Sequence, residues 1–137
     1  DIAFGTRPTG APFRATSLTD NNAVITAIAN DDGYEELFVR QLETLMVAGD
    51  VVVAISASGN SPNLVKALEY AARNGAATVA LTGFDGGRIA TEAELNVHVP
   101  TGLGEYGPAE DGHMIIDHLV GSFLIRLVRA EALGSAP

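Results

Sequence analysis

Residues 50–75 read DVVVAISASGNSPNLVKALEYAARNG, and three signals follow one another in them. The apolar, β-branched run from Asp50 to Ile55 has the character of a strand buried on both faces of a parallel sheet. Ser61 in the cap position, Pro62 at the first helical position and Gly75 as the stop frame a helix. Between them lies Ser56-Ala57-Ser58-Gly59-Asn60-Ser61. A turn needs one or two such residues, and five of these six are of that kind. A strand that passes through such a loop into a helix places backbone N–H groups and the positive helix end at the carboxyl edge of the sheet, where open α/β sheets bind ligands. Ser56, Ser58 and Ser61 add hydroxyl donors, and Gly59 permits a tight backbone path. The loop lacks the Gly-Lys-Ser/Thr ending of a P-loop, which disfavours nucleoside triphosphate chemistry. By the residues alone, two readings stand level: an anion cradle, or a polar turn with Ser61 as a plain cap.

Outward from this unit the pattern alternates. Downstream, "ATVALTG" reads as a strand, "FDGG" as a turn, "RIATEA" as a short helix and "ELNVHVP" as a strand closed by Pro100. The last piece, "PAEDGHMIIDHLVGSFLIRLVRAEAL", is a long helix interrupted by Gly112 and Gly121. Upstream, "PFRATSLT" (Pro12–Thr19) reads as a short strand. Asp20 or Asn21 caps a brief helix carrying Val24, Ile25 and Ile28. "GYEELFVRQLETLMVAGD" carries Leu37, Phe38, Leu42, Leu45 and Met46 at helical spacing, with Gly49 as its end. Strands alternating with helices on short links predict an α/β fold, a parallel sheet with helices on both faces.

The 137 residues predict one domain, 1–137, with enough chain for a sizeable core. Hydrophobic residues make up 47% and charged residues 18%, as in a compact globular protein. The net charge of -9 argues against nucleic acid or an anionic membrane as partner, while leaving room for a local anion pocket. No apolar run has the length of a membrane span. "DIAFGTRPTGAPF" has neither the basic start nor the long apolar core of a signal peptide. Without cysteine there is no thiolate metal site and no thiol nucleophile, and a reducing compartment is compatible.

"AISASGNSPNLVKALEYAARNGAATVALTGFDGG" resembles the core signature of sugar isomerase (SIS) domains, and the likeness extends from about Thr16 to Arg129. "AIANDDGYEELFVRQLETL", "LTGFDGG" and a late helix with paired histidines are similar to the phosphoheptose isomerase branch. The resemblance implies a three-layer sandwich around a flavodoxin-like parallel sheet. It further implies interconversion of sedoheptulose 7-phosphate and a heptose 7-phosphate through an enediol, for bacterial surface-glycan synthesis. A cytoplasmic homotetramer with interface active sites and bound Zn²⁺ belongs to the same expectation. The stripe Ile115, Leu119, Phe123 and Leu127 would serve such an interface or core packing equally well.

Site residues carry over by position. Ser56, Ala57, Ser58 and Ser61 would bind the phosphate, with Ala57 standing where a threonine is common, at the loss of one hydroxyl. Asn30 and Asp31 match an Asn-Asp pair that contacts the sugar. On residues alone, "ANDDGY" is simply a helix end with Asn30 left-handed and Gly33 breaking the chain. Glu110 and His118 match a glutamine and a histidine that are metal-associated, and His118 inherits the proton-transfer role. Glu110 in place of an amide adds negative charge, so it would hold a metal more tightly or act as a base itself. Glu110, His113 and Asp117 share one helical face. Glu110 and His118 stand roughly 12 Å apart along an ideal helix, too far to clasp one ion without other groups. His113 is expected to be exposed and His98 to serve packing. Gly107 stands where relatives carry an acidic residue.

The family's first strand, its "GNGGSA"-like loop and the helix supplying a metal histidine and the catalytic glutamate have no counterpart here. This implies either a segment of a longer protein, the favoured reading, with Asp1 to Pro12 as a linker, or a partner chain that completes the sheet. A sheet without that central strand would expose its neighbours' edges. The alternative function is a non-catalytic SIS adaptor that binds a protein partner such as the replication initiator, or a sugar-phosphate sensor.

Overall fold

The computed structural model describes residues 2–7 and 12–132. The chain divides into two compact units, Leu18–His113 and Asp1–Ser17 with Met114–Pro137. The first unit holds a three-stranded parallel sheet in the order β1-β2-β3, with β1 Val51–Ser56, β2 Ala77–Thr82 and β3 Leu95–His98. The helices in chain order are α1 Ile2–Thr6, α2 Asn22–Asp31, α3 Val39–Leu45, α4 Pro62–Arg73, α5 Ile89–Glu92 and α6 Tyr106–Ala132. The expected strand–helix alternation is present from β1 onward. Both capping expectations at α2 and α4 fall on the right residues, Asn21 and Ser61.

The main core cluster of this unit lies on one sheet face, although Leu81 on the other face is also buried, at 7% exposed. Ala54 and Ala80 of the sheet pack with Val65 and Leu68 of α4 and Ile89 of α5, and Val52, Leu64 and Ala93 close around them. Register explains the selection, because side chains alternate along a strand and paired residues share a face. Val52, Ala54, Thr78, Ala80 and Thr82 point to the helices. Val51, Val53 and Ile55 point to the other face and are 62%, 53% and 56% exposed. The expectation that β1 is buried on both faces is therefore wrong: among the described residues α4 covers it from one side, and its other face is exposed.

Three upstream expectations also change. Pro12–Ser17 is irregular rather than a strand. With no strand beside it to supply a ladder, the Phe13 amide donates to Thr6 Oγ1 at 3.0 Å instead. The start is not a plain linker either, since Ile2–Thr6 is helical; residues 1 and 8–11 lie outside the described residues. The single helix expected up to Gly49 breaks into a 3-10 turn, Tyr34–Glu36, followed by α3. Lys66 of α4 holds that turn, with Nζ 3.2 Å from Glu35 and 2.6 Å from Glu36. Helix α3 gives out at Leu45, because Met46 turns extended and the Val47 amide is taken by the Asp50 carboxylate at 2.9 Å. In the opposite sense, α6 runs unbroken through Gly112 and Gly121.

Candidate functional site

The serine loop leaves the carboxyl end of β1 and enters the N-terminus of α4, as its composition predicts. Two of its amides, however, are not available to an anion. The Gly59 amide donates to Ser56 Oγ at 3.1 Å and the Asn60 amide to Ser58 Oγ at 3.4 Å. Each hydroxyl oxygen thereby spends one acceptor position, and its own O–H remains as a donor. The loop thus fixes hydroxyls rather than presenting bare amides. Ser61 occupies the cap position of α4 but makes no side-chain capping bond. Its hydroxyl is not used by the helix end, which weighs against the plain-cap reading. Ala57 contributes its side chain to a buried apolar cluster with Phe84 and Ala109, so it is floor rather than hydroxyl donor.

A second loop, Gly83–Arg88, clamps the first. Gly83 N donates to Ala57 O, Ile89 N to Gly59 O and Arg88 N to the Asn60 side-chain oxygen, each at 3.0 Å. The contact is backbone on backbone. A Cβ on Gly59 (φ +64) would lie 2.0 Å from Gly86 O, and one on Gly87 (φ +57) 2.2 Å from Ser58 O. Only glycine fits at either place. Phe84 carries φ 45, a left-handed conformation that costs a non-glycine residue about 1–3 kcal/mol. Its amide bond to Thr101 Oγ1 at 3.3 Å and its edge-on contact with the Tyr106 ring at 5.0 Å offset that strain.

Along the same sheet edge, register aligns Ser56, Thr82 and His98. Thr82 is fully buried, and its hydroxyl lies 3.0 Å from Asn96 Oδ1 and 3.1 Å from His98 Nδ1. His98 is thus an exposed ring anchored by a hydrogen bond, not a packed one. Thr82 went unnoticed in the sequence because only strand pairing puts it beside Ser56.

Asn30 and Asp31 end α2, exposed, with Asn30 Nδ2 donating to Asp31 Oδ1 at 2.7 Å. Asn30 is not left-handed; Gly33, at φ +102, takes that role. Below them Arg40 bonds Glu43 and Asp32, and its pKa is raised by the Glu43 hydrogen bonds first and the Asp32 bond next.

Glu110 and His118 are both exposed, eight residues apart on the unbroken α6. His113 is the reverse of its expectation. It is 5% exposed, and neither ring nitrogen has a hydrogen-bond partner. Its helix face explains the burial: Ala109, one turn earlier, fits against Ala57 and Phe84, and Gly112 lets Val99 approach within Cβ distance. Gly107 opens on free space, so an acidic side chain missing there leaves a gap rather than a packed substitute. Among the described residues no three His, Asp or Glu side chains gather into a group able to hold a metal ion. Those residues do not fit a zinc site by themselves.

Residues 18–117 match the family described as SIS domain. A phosphoheptose isomerase of Geobacter sp. (strain M21) is 46% identical over 106 residues, covering 77% of this chain and 54% of that protein. One from Akkermansia muciniphila is 43% identical over 122 residues, covering 89% of this chain and 61% of that protein. Among solved structures, the phosphoheptose isomerase of Neisseria gonorrhoeae superposes with a TM-score of 0.81 at 33% identity, covering 90% of this chain and 66% of the other. That of Francisella tularensis gives 0.79 at 28% identity, covering 84% and 61%. The chain spans about half the length of the first of these curated relatives.

Proposed function

This chain belongs to the SIS-domain family, and from that premise we propose that the protein it forms is an aldose–ketose isomerase acting on a seven-carbon sugar phosphate. The observation that carries the reading is the serine loop. Its hydroxyls are oriented by the loop's own amides, and the cap serine is left uncommitted at the start of a twelve-residue helix. Relatives named phosphoheptose isomerase at 46% and 43% identity support the substrate class.

In this reading Ser56, Ser58 and Ser61 donate to the oxygens of the terminal phosphate, and the α4 N-terminus adds its partial positive charge. Holding the phosphate, far from the reacting carbons, orients the carbonyl end. The reaction moves one proton from the carbon next to the carbonyl to a base, giving an enediol. A proton then returns to the neighbouring carbon while another passes between the two oxygens. His118 is the group assigned to the transfer between oxygens. Glu110, an exposed carboxylate on the same helix, is assigned to the substrate and is a carboxylate that this chain offers as base. Asn30 and Asp31 are assigned to the sugar hydroxyls.

The test is turnover of sedoheptulose 7-phosphate by the full-length protein, followed by NMR of the sugar. His118→Gln should lower kcat by about 10²-fold or more with KM little changed. Ser58→Ala with Ser61→Ala should raise KM. Phosphate binding without turnover in the unaltered protein would sink the isomerase in favour of a sugar-phosphate sensor.

A further inference from the structure

We infer that Tyr106 is a specificity-determining residue, the flat wall against which the carbon chain of the sugar phosphate lies; this rests on the reading that the serine loop holds the phosphate. The ring stands at the start of α6, 55% exposed, in a T-shaped contact with Phe84 at a centroid distance of 5.0 Å and an interplanar angle of 77°. Phe84 also touches Ala57, the second residue of the serine loop, through the buried cluster that includes Ala109. One aromatic residue therefore links the loop to the tyrosine. Glu110 lies one helical turn beyond Tyr106 on the same face. On this inference a ligand anchored in the loop and reaching toward Glu110 lies along this exposed ring. Aromatic faces are electron-rich and suit the C–H side of a sugar, while oriented polar groups take its hydroxyls and phosphate.

The ring is held before any ligand arrives. The segment leading to it bonds to itself: Gly102 N to Glu105 Oε2 at 2.7 Å, Glu105 N to Gly102 O at 3.0 Å and Tyr106 N to Gly104 O at 2.9 Å. Thr101 at its start accepts the Phe84 amide. The left-handed Phe84 is what turns its ring to meet both Ala57 and Tyr106, and backbone strain of this kind collects where a site demands a particular side-chain direction. A set ring binds without the ordering cost of a mobile one.

The experiment is calorimetric titration of the full-length protein and its Tyr106→Ala, Tyr106→Leu and Tyr106→Phe variants with two probes, inorganic phosphate and sedoheptulose 7-phosphate. Tyr106→Ala should weaken the sugar phosphate at least fivefold and leave inorganic phosphate within twofold. Tyr106→Leu should fall between, and Tyr106→Phe should match the unaltered protein. Inorganic phosphate affinity and the thermal melt report that the loop is still folded. Equal weakening of both probes would assign Tyr106 to propping the loop and overturn the inference. So would a sugar-phosphate affinity untouched in Tyr106→Ala. An unaltered protein that binds neither probe overturns the phosphate reading itself, and this inference with it.

Discussion

The two faces of the sheet are built from the same run of residues and meet opposite fates. Val52 and Ala54 face α4 and α5 and join Leu68, Ala80 and Ile89 in a core in which each of these last three is at most 1% exposed. Val51, Val53 and Ile55, their immediate neighbours, are more than half exposed, and so is Leu95 of β3 at 56%. Val53 and Leu95 both pair with the half-buried Val79, so the exposed residues of β1 and β3 flank β2, whose Leu81 on the same face is buried. Exposed apolar residues grouped in this way are less common on monomer surfaces than single ones. The difference teaches that β-branched composition records what a strand's environment demands without naming who supplies it.

The comparison can be broken at several points. Leu68→Ala removes the centre of the covered face and should cost about 2–5 kcal/mol in denaturant unfolding; a cost below about 1 kcal/mol would mean that this face is not the core. Gly59→Ala forces a Cβ onto Gly86 O and should cost about 1–3 kcal/mol. It should also abolish phosphate binding, because the clamp between the two loops opens. His113→Leu tests the buried residue that is least at home. With no hydrogen bond to lose, the variant should melt higher, by about 1 kcal/mol; a lower melting temperature would show that the ring has a partner. Val53→Thr on the open face should change stability by no more than about 0.5 kcal/mol. A loss approaching that of Leu68→Ala would show the face to be covered.

The smallest effect concerns the clasp behind the covered face. The Lys66 pKa is raised, by its hydrogen bond to Glu36 first and by Glu35 after the opposing effect of burial. A raised lysine pKa stabilises the fold fully at pH below the unfolded lysine value, and the contribution is lost as pH rises through the folded value. The melting difference between the unaltered chain and Lys66→Met should therefore be constant near neutrality and shrink only above the ordinary lysine range. The pair is partly solvated, so the difference is small throughout.

Where sequence reading succeeded, the signal was local. Asn21 before α2, Ser61-Pro62 before α4 and the apolar runs of β1, β2 and β3 each declare an element through the preferences of a few adjacent residues. Where it failed, the deciding partner was distant in the chain. The break before α3 depends on Lys66 reaching back thirty residues to Glu36. The burial of His113 depends on how the turn before it seats against Ala57 and Phe84. Tyr106 was passed over although it stands four residues before Glu110, because its value rests on a phenylalanine in another loop.

The sequence by itself determined the parallel α/β order and the place of the serine loop, since both follow from short-range propensity and from the need of a strand end and a helix start for polar residues. Only the tertiary structure decided which serine lone pairs are already taken, which glycines are forced and which sheet face is core. Those outcomes depend on atoms brought within about 3–4 Å by folding, and no local stretch of chain contains both members of such a contact.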